Sequence, residues 1–403
     1  MTTPPWQLPP AAAASSNPPR ARMPSIDALR GLVMVFMLLD HVRETFFLHA
    51  QVSDPMDVTS TGPALFFSRL LSHLCAPVFV FLTGLSAFLY ASKQVDGRAT
   101  ASAFLFKRGL FLVVLELTLV NFAWTFQFPP SVIYLQVIWA IGLSMIALAA
   151  LVWLPRAVLV AIGLALVAGH NLLDDVHFAA GHALSVPWAI LHDRGWIDAA
   201  EGLRLRTSYP VLPWIGVIAL GYAAGPWFAA GFDAARRQRL LALTGLGLLA
   251  GFAVLRALNG YGEAPWMPQN GPLATLMSLL NITKYPPSLL FLLLTLGVGL
   301  LLLRLFERQA QARGGEPPRA LRVLAVFGAA PMFFYLLHLY VLKALYLAAV
   351  GIWGLNQGQY FGFDGMGAVW LAMAVLAVAL YVPVRDFAAF KARRRDIAWL
   401  KYL

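Results

Sequence analysis

The sequence predicts an all-α, polytopic integral membrane helix bundle with about ten transmembrane helices and both termini cytoplasmic. Three observations lead there. Of the 403 residues, 60% are hydrophobic and only 12% charged, with a mean hydropathy of +0.70, a balance foreign to soluble and disordered chains. Ten stretches are apolar over a length that crosses about 30 Å of hydrocarbon. The basic residues gather in alternate connections between those stretches, as the positive-inside rule requires of an even number of spans.

In chain order, residues 1–22 are rich in Pro, Ala and Ser and lack the apolar core of a cleavable signal peptide; they read as a flexible cytoplasmic tail. The transmembrane domain then covers 23–385. Its spans are expected at 26–47, 64–91, 104–127, 134–153, 157–172, 210–231, 240–259, 286–306, 325–350 and 367–385. Helix is the default for each, because a segment in lipid must satisfy its own backbone. The fourth and fifth are divided by a tight turn at Leu154, Pro155 and Arg156. Residues 386–403 place Lys391 and Arg393 to Arg395 among Phe387, Phe390 and Trp399, which reads as a basic amphipathic tail on the inner leaflet.

Most of the 30 Lys and Arg residues fall on one side: Arg20 and Arg22, Lys93 to Arg108, Arg156, Arg236 to Arg239, Arg304 to Arg322, and the C-terminal tail. The long outer connections, 173–209 and 260–285, hold few basic residues but contain Trp188, Trp196, Tyr261 and Trp266. Such loops suit a membrane-surface belt or a carbohydrate site. The net charge of +11 is therefore a matter of orientation in the bilayer, and nucleic acid is not expected as a partner. Cys75, the single cysteine, provides no disulfide framework.

Ionisable groups inside the apolar spans are costly, and they mark function. The first span carries Asp27, Arg30, Asp40, His41, Arg43 and Glu44. From Arg30 to His41 is eleven residues, so the two side chains share one face to within roughly 20° and lie about 16 Å apart along the axis. A cation near one membrane surface thus lines up with a base deeper in the bundle. Glu44, three residues on, is placed to orient the His41 ring. Arg69, His73 and Pro77 share a face of the second span, which is expected to face the first, with Pro77 loosening the helix. Glu116, His338 and Lys343 complete the intramembrane set, with His49 just beyond the first span. Asp174, Asp175, His177, His182 and His192 cluster in sequence, but their spacings match no zinc motif and no metal is expected. The nucleotide motifs GxGxxG and GxxxxGK[ST] are both missing from the sequence.

The opening SIDALRG with DHVR, together with PALFFSRLLSHLCAPVFVFLTGLSAFL (63–89), YPVLPWIGVIALGYAAGPWF (209–228), KYPPSLLFLLLTLG (284–297) and FGAAPMFFYLLHLYV (327–341), resembles the transmembrane acyltransferases related to the lysosomal heparan-α-glucosaminide N-acetyltransferase, in their bacterial branch. The likeness covers nearly all of the chain after the tail. The Arg30-to-His41 spacing also resembles the Arg-x10-His pattern of a second group of membrane enzymes that acetylate sugar hydroxyls. The resemblance implies an acetyl group taken from cytoplasmic acetyl-CoA and passed to a sugar hydroxyl or amine, or another small-molecule acceptor, on the outer side of the membrane. It implies a multi-pass protein of the bacterial inner membrane, with the lipid bilayer as surroundings and a homo-oligomer as an open option. The second group points to His41 as the catalytic histidine. The lysosomal branch points by neighbourhood to His49, since His41 stands where that branch has an asparagine. His41 is the first choice and His49 the second, with Asp40 and His73 as further catalytic candidates; His73 stands where the lysosomal branch has an acid. Arg30, Lys107, Arg108 and Arg236 are the candidates for the donor phosphates. Direct transfer with a histidine base and transfer through an acetylated histidine both remain open. The rival class is a secondary transporter or flippase, against which the sequence offers no second copy of the SIDALRG-to-DHVR pattern.

Overall fold

The computed structural model describes residues 23–394 and 396–402. The expected tail at 1–22, with Arg20 and Arg22, lies outside the described residues, as do Arg395 and the side chain of Lys401. The chain is mainly helical. Its helices are α1 (Pro24–Phe46), α2 (Pro63–Ser72), α3 (Cys75–Ala91), α4 (Gly97–Leu115), α5 (Asn121–Thr125), α6 (Val137–Leu151), α7 (Arg156–Gly169) and α8 (Ser185–Leu191). They continue with α9 (Leu212–Ala224), α10 (Ala234–Leu258), α11 (Pro272–Leu280), α12 (Leu289–Gln311), α13 (Arg319–Ala329), α14 (Pro331–Trp353) and α15 (Met366–Arg393). A helix occupies each of the ten apolar stretches. Among the described residues, six helical runs are long and apolar enough to cross a membrane: 63–91, 156–173, α10, α12, α14 and α15. The other four stretches hold α1, α4 with α5, α6 and α9, which are shorter or carry more charge.

α1 lies at the centre and packs against α2, α3, α12, α13, α14 and α15. Its sequence explains its limits: Pro24 opens the first turn, Asp27 complements the N-terminal dipole and Arg43 the C-terminal one. The helices around it cross at glycines. A Cβ on Gly31 of α1 would overlap the Leu324 carbonyl of α13, and one on Gly328 would overlap the Asp27 carbonyl of α1. The same reciprocal fit joins α4 to α6, where a Cβ on Gly109 would lie 2.6 Å from the Gly142 carbonyl oxygen. It recurs at Gly84 with Gly221 (α3, α9), Gly163 with Gly216 (α7, α9) and Gly245 with Gly297 (α10, α12). Without a side chain at these points the backbones approach closely and gain dispersion contacts, the main attraction available between helices in lipid.

Three local features differ from the sequence reading. The all-α expectation is corrected by a small three-stranded sheet in the connections before α6 and before α9: β1 (Val132–Leu135), β2 (Trp196–Ala200) and β3 (Leu203–Thr207), in the order β1-β3-β2. β1 runs parallel to β3 with Val132 opposite Arg204, and β2 runs antiparallel to β3 with Trp196 opposite Arg206. The second span is two helices, because Pro77 has no N–H for the His73 carbonyl and its ring crowds that position; the break falls at His73 and Leu74. The ninth span starts at Pro331 and not at 325: Ala330 leaves helical geometry, and Arg319–Ala329 forms the separate helix α13 against α1. Residues 386–393 of the expected tail continue α15 without a break.

Candidate active site

Two cavities meet at α1. The inner one, about 70 Å³, is lined by Asp40, His41 and Glu44 of α1, by Ser72 and Cys75 at the α2–α3 break, and by Lys284, Tyr285 and Tyr335. The second, about 430 Å³, opens at the N-terminal end of α1 and is lined by Asp27, Arg30, Lys93, Arg108 and Lys391. Phe79 and Pro331 line both. The axial separation of Arg30 and His41 thus spans from one cavity to the other.

His41 is buried, and its Nδ1 lies 2.7 Å from Nε2 of His338 on α14. His338 Nδ1 is in turn 2.6 Å from the Phe334 carbonyl oxygen. Because a carbonyl only accepts, His338 carries its proton on Nδ1 and donates there. Its Nε2 is then an acceptor, so His41 Nδ1 donates to it. This assignment follows from the hydrogen-bond network and leaves His41 Nε2 with a free lone pair in the neutral ring. No hydrogen bond to that atom is made among the described residues. The ring is walled by Trp124 and Tyr335, with centroids 5.1 and 5.9 Å away, both edge-on. The orienting partner is therefore His338. Glu44, expected in that role, is turned to Arg43 Nη2 at 3.1 Å.

Asp40 sits beside this pair but is fully engaged. Arg43 donates to its Oδ1 from Nε and Nη2 at 3.1 and 3.0 Å, and Arg69 Nη1 donates to Oδ2 at 2.5 Å. Lys284 Nζ is 3.7 Å from Oδ2. This is a buried charge cluster in which three cations answer Asp40 and Glu44, and removing one partner of such a cluster leaves an uncompensated charge at a cost of about 3–5 kcal/mol. Asp54, in the connection after α1, accepts from the Lys284 N–H at 3.2 Å. Burial pushes its carboxyl above the ordinary range, against the pull of Arg69 and Lys284.

The other expected residues are placed as follows. His73 is buried at the α2–α3 break, with both ring nitrogens unpartnered among the described residues and the ring edge-on to Phe291; it adjoins the inner cavity without lining it. His49 lies on the turn after α1, packed on Phe47 and against Gly362, away from that cavity. Of the four candidates for the donor, the structure brings Arg30 and Arg108 together in the larger cavity. Lys107 and Arg236 are exposed outside it, and Lys93 and Lys391 stand in their stead. Arg30 is bound to Asp27 at 2.9 Å, Ser86 at 2.9 Å and the Gly328 carbonyl at 3.2 Å, whereas Arg108 Nε is buried with no partner among the described residues. Glu116 accepts from the Trp139 N–H at the start of α6 at 3.0 Å and so caps that helix. Lys343 donates to the Trp124 carbonyl at 3.3 Å.

Sequence reasoning missed Lys284 and the pairing of His338 with His41. KYPPS placed Lys284 at the mouth of a span, where a lysine is ordinarily an interfacial anchor; its signal was the block KYPPSLLFLLLTLG (284–297), which carries the resemblance but gives the lysine no role. In the 173–209 connection His177 meets Asp193 at 3.1 Å and His182 stacks on Phe178. Among the described residues no group of three or more His, Cys, Asp or Glu side chains is arranged to hold a metal ion.

Residues 22–255, well over half of the chain, match the family model described as heparan-alpha-glucosaminide N-acetyltransferase, catalytic. The match includes Arg30, Asp40, His41, His73 and Arg108, and ends before Lys284 and His338. No curated protein matches the chain.

Proposed function

The chain belongs to the heparan-α-glucosaminide N-acetyltransferase catalytic family of transmembrane acetyltransferases, and from that premise we propose a division of labour between its two cavities. Acetyl-CoA binds from the cytoplasm in the larger cavity, the acyl group reaches the inner one, and a sugar hydroxyl or amine receives it from the outer side. Basic groups at the larger cavity suit a polyanionic donor, and Arg108 Nε, buried and without a partner among the described residues, suits a phosphate oxygen. The pantetheine arm passes Phe79 and Pro331, which line both cavities. The ten helical stretches then alternate across the inner bacterial membrane with both termini cytoplasmic, as the basic connections suggest.

The observation that carries the reading is the relay Phe334 carbonyl–His338–His41, which supplies an imidazole with its base nitrogen free in the cavity. In the reaction, His41 Nε2 takes the proton of the attacking hydroxyl or amine as the new bond to the thioester carbon forms. The C–S bond breaks, and the proton passes to the departing thiolate. Charge developing on the carbonyl oxygen is met by the cationic Lys284 in the same wall.

The test is transfer by sealed vesicles holding the full chain, with labelled acetyl-CoA on one side and a panel of glycans on the other. His41→Ala should insert normally and lose acyl transfer by about 10²-fold or more, the usual worth of a positioned base. Unchanged turnover would sink His41 as the base, and label retained on a histidine would replace direct transfer by the two-step route.

A further inference from the structure

A short strap, residues 283–288, forms the wall between the inner cavity and an outer basin of about 700 Å³. Its two sides face different spaces: Lys284 and Tyr285 line the cavity with His41, while Thr283, Pro286 and Ser288 line the basin. The strap closes on itself, the Ser288 N–H donating to the Thr283 carbonyl at 3.0 Å. Both of its ends are held by one side chain from a separate segment. Glu263 Oε2 accepts from the Thr283 N–H at 2.6 Å and the Ser288 hydroxyl at 2.7 Å. Its Oε1 accepts from the Thr283 hydroxyl at 2.6 Å and the Ala264 N–H at 2.9 Å. Four donors converge on a side chain that only accepts, a match that a carboxylate makes and an amide does not. Ser288 Oγ also accepts from the Phe291 N–H at 3.0 Å, so Glu263 pins the strap to the capped N-terminus of α12.

We propose that Glu263 is a positioning residue for acyl transfer: by pinning the strap it holds Lys284 and Tyr285 in the cavity wall and keeps the water of the outer basin away from the thioester. The inference rests on the acyltransferase reading. In transfer, the acceptor oxygen or nitrogen bonds to the carbonyl carbon, the C–S bond breaks and the acceptor's proton ends on the coenzyme A thiol. In hydrolysis water takes the acceptor's place, and the products are acetate and the same thiol. An unpinned strap admits water, so hydrolysis rises without any acceptor present.

The experiment uses the full chain in vesicles with acetyl-CoA alone and follows free thiol, with binding of labelled acetyl-CoA measured in parallel. Glu263→Ala should raise acceptor-independent thiol release about fivefold or more, with the donor KM within about twofold of the parent, since the donor site lies at the other end of α1. Glu263→Asp, which keeps an acceptor-only group, should return the rate towards the parent. Adding His41→Ala should abolish the gain, which identifies the hydrolysis as that of the active site. A merely structural weakening lowers the rate and does not raise it. Where Glu263→Ala fails to fold, Ser288→Ala and Thr283→Val carry the same expectation. A folded variant whose thiol release stays at or below the parent's overturns the role of the strap alone. A parent that neither binds nor consumes acetyl-CoA overturns the acyltransferase reading, and the strap's role with it.

Discussion

Arg30 and Arg108 face the same cavity with different obligations. Arg30 is spent on Asp27, Ser86 and a backbone carbonyl, so its loss would loosen the α1–α13 contact as well as any donor site. Arg108 has a buried nitrogen that nothing in the described residues satisfies. Arg108→Gln should therefore raise the KM for acetyl-CoA about tenfold, the equivalent of one charge-assisted hydrogen bond of about 1.5 kcal/mol, with kcat little changed. Initial rates over a range of donor concentrations measure the split, and an equal fall in kcat would assign Arg108 to the chemistry instead. The sequence makes Arg30 and His41 legible because their relation is local, one face of one helix. His338 is far away in the chain and meets His41 only after α14 has packed against α1. Glu44 misled for a related reason: a carboxylate three residues from a histidine is also one residue from Arg43, and an ion pair outbids a neutral ring for it.

Between elements, the tightest joints are the crossings at glycine. Gly328→Leu would drive its side chain into the Asp27 carbonyl of α1, and overpacking against backbone, which cannot swing aside, should cost about 3 kcal/mol or more. Gly351 on α14 has open space around its Cβ position, so Gly351→Leu is the matched control and should leave stability unchanged or slightly raised through helix propensity. Thermal unfolding of the two variants in the same detergent gives the comparison; equal midpoints would mean that the α1–α13 joint is slack. Helices were the readable elements: each of the ten apolar runs holds one, and among the described residues six helical runs are long and apolar enough to cross a membrane. Their breaks were less so: Pro77 announced a loosened helix, and the chain parts one turn earlier, at His73 and Leu74, where the carbonyl that Pro77 cannot serve lies. The strand β3 was readable in retrospect, as LRLRT alternates with the period of two that a half-buried strand shows. Its partner β2 precedes it by only two residues, Glu201 and Gly202, but its other neighbour, β1, comes from a distant connection that the local pattern does not reveal.

At the scale of the whole molecule, the face that carries the 173–209 connection is tied together by a clasp around His192. His192 Nε2 lies 3.0 Å from the His170 carbonyl and 3.4 Å from Asp174 Oδ1, and its Nδ1 is 3.4 Å from Asp193. Burial draws the His192 pKa down, but Asp174, the His170 carbonyl and Asp193 outweigh it and leave it above the ordinary histidine value. A raised histidine stabilises the fold fully below about pH 6.5, and that contribution is lost as pH rises through the higher folded value. Burial raises Asp174, yet its bonds with His192 and Asn171 leave it lowered, so its own contribution fails only in acid. Hydrogen exchange of residues 170–193, corrected for intrinsic rates, should thus be slower at pH 6 than at pH 8.5, and His192→Gln should erase the difference. A clasp indifferent to pH would show that folding leaves the His192 pKa at its ordinary value.

The glycine joints have a further consequence for traffic across the membrane. Carriers that rock one half against the other slide their helices past each other, and backbones in mutual contact at Gly31 with Gly328, Gly84 with Gly221, and Gly245 with Gly297 have no slack in which to slide. In the proposed reaction nothing bulky need slide. The polyanionic coenzyme A stays on the side where it is made, the sugar stays on the other, and a two-carbon fragment without charge is all that makes the crossing.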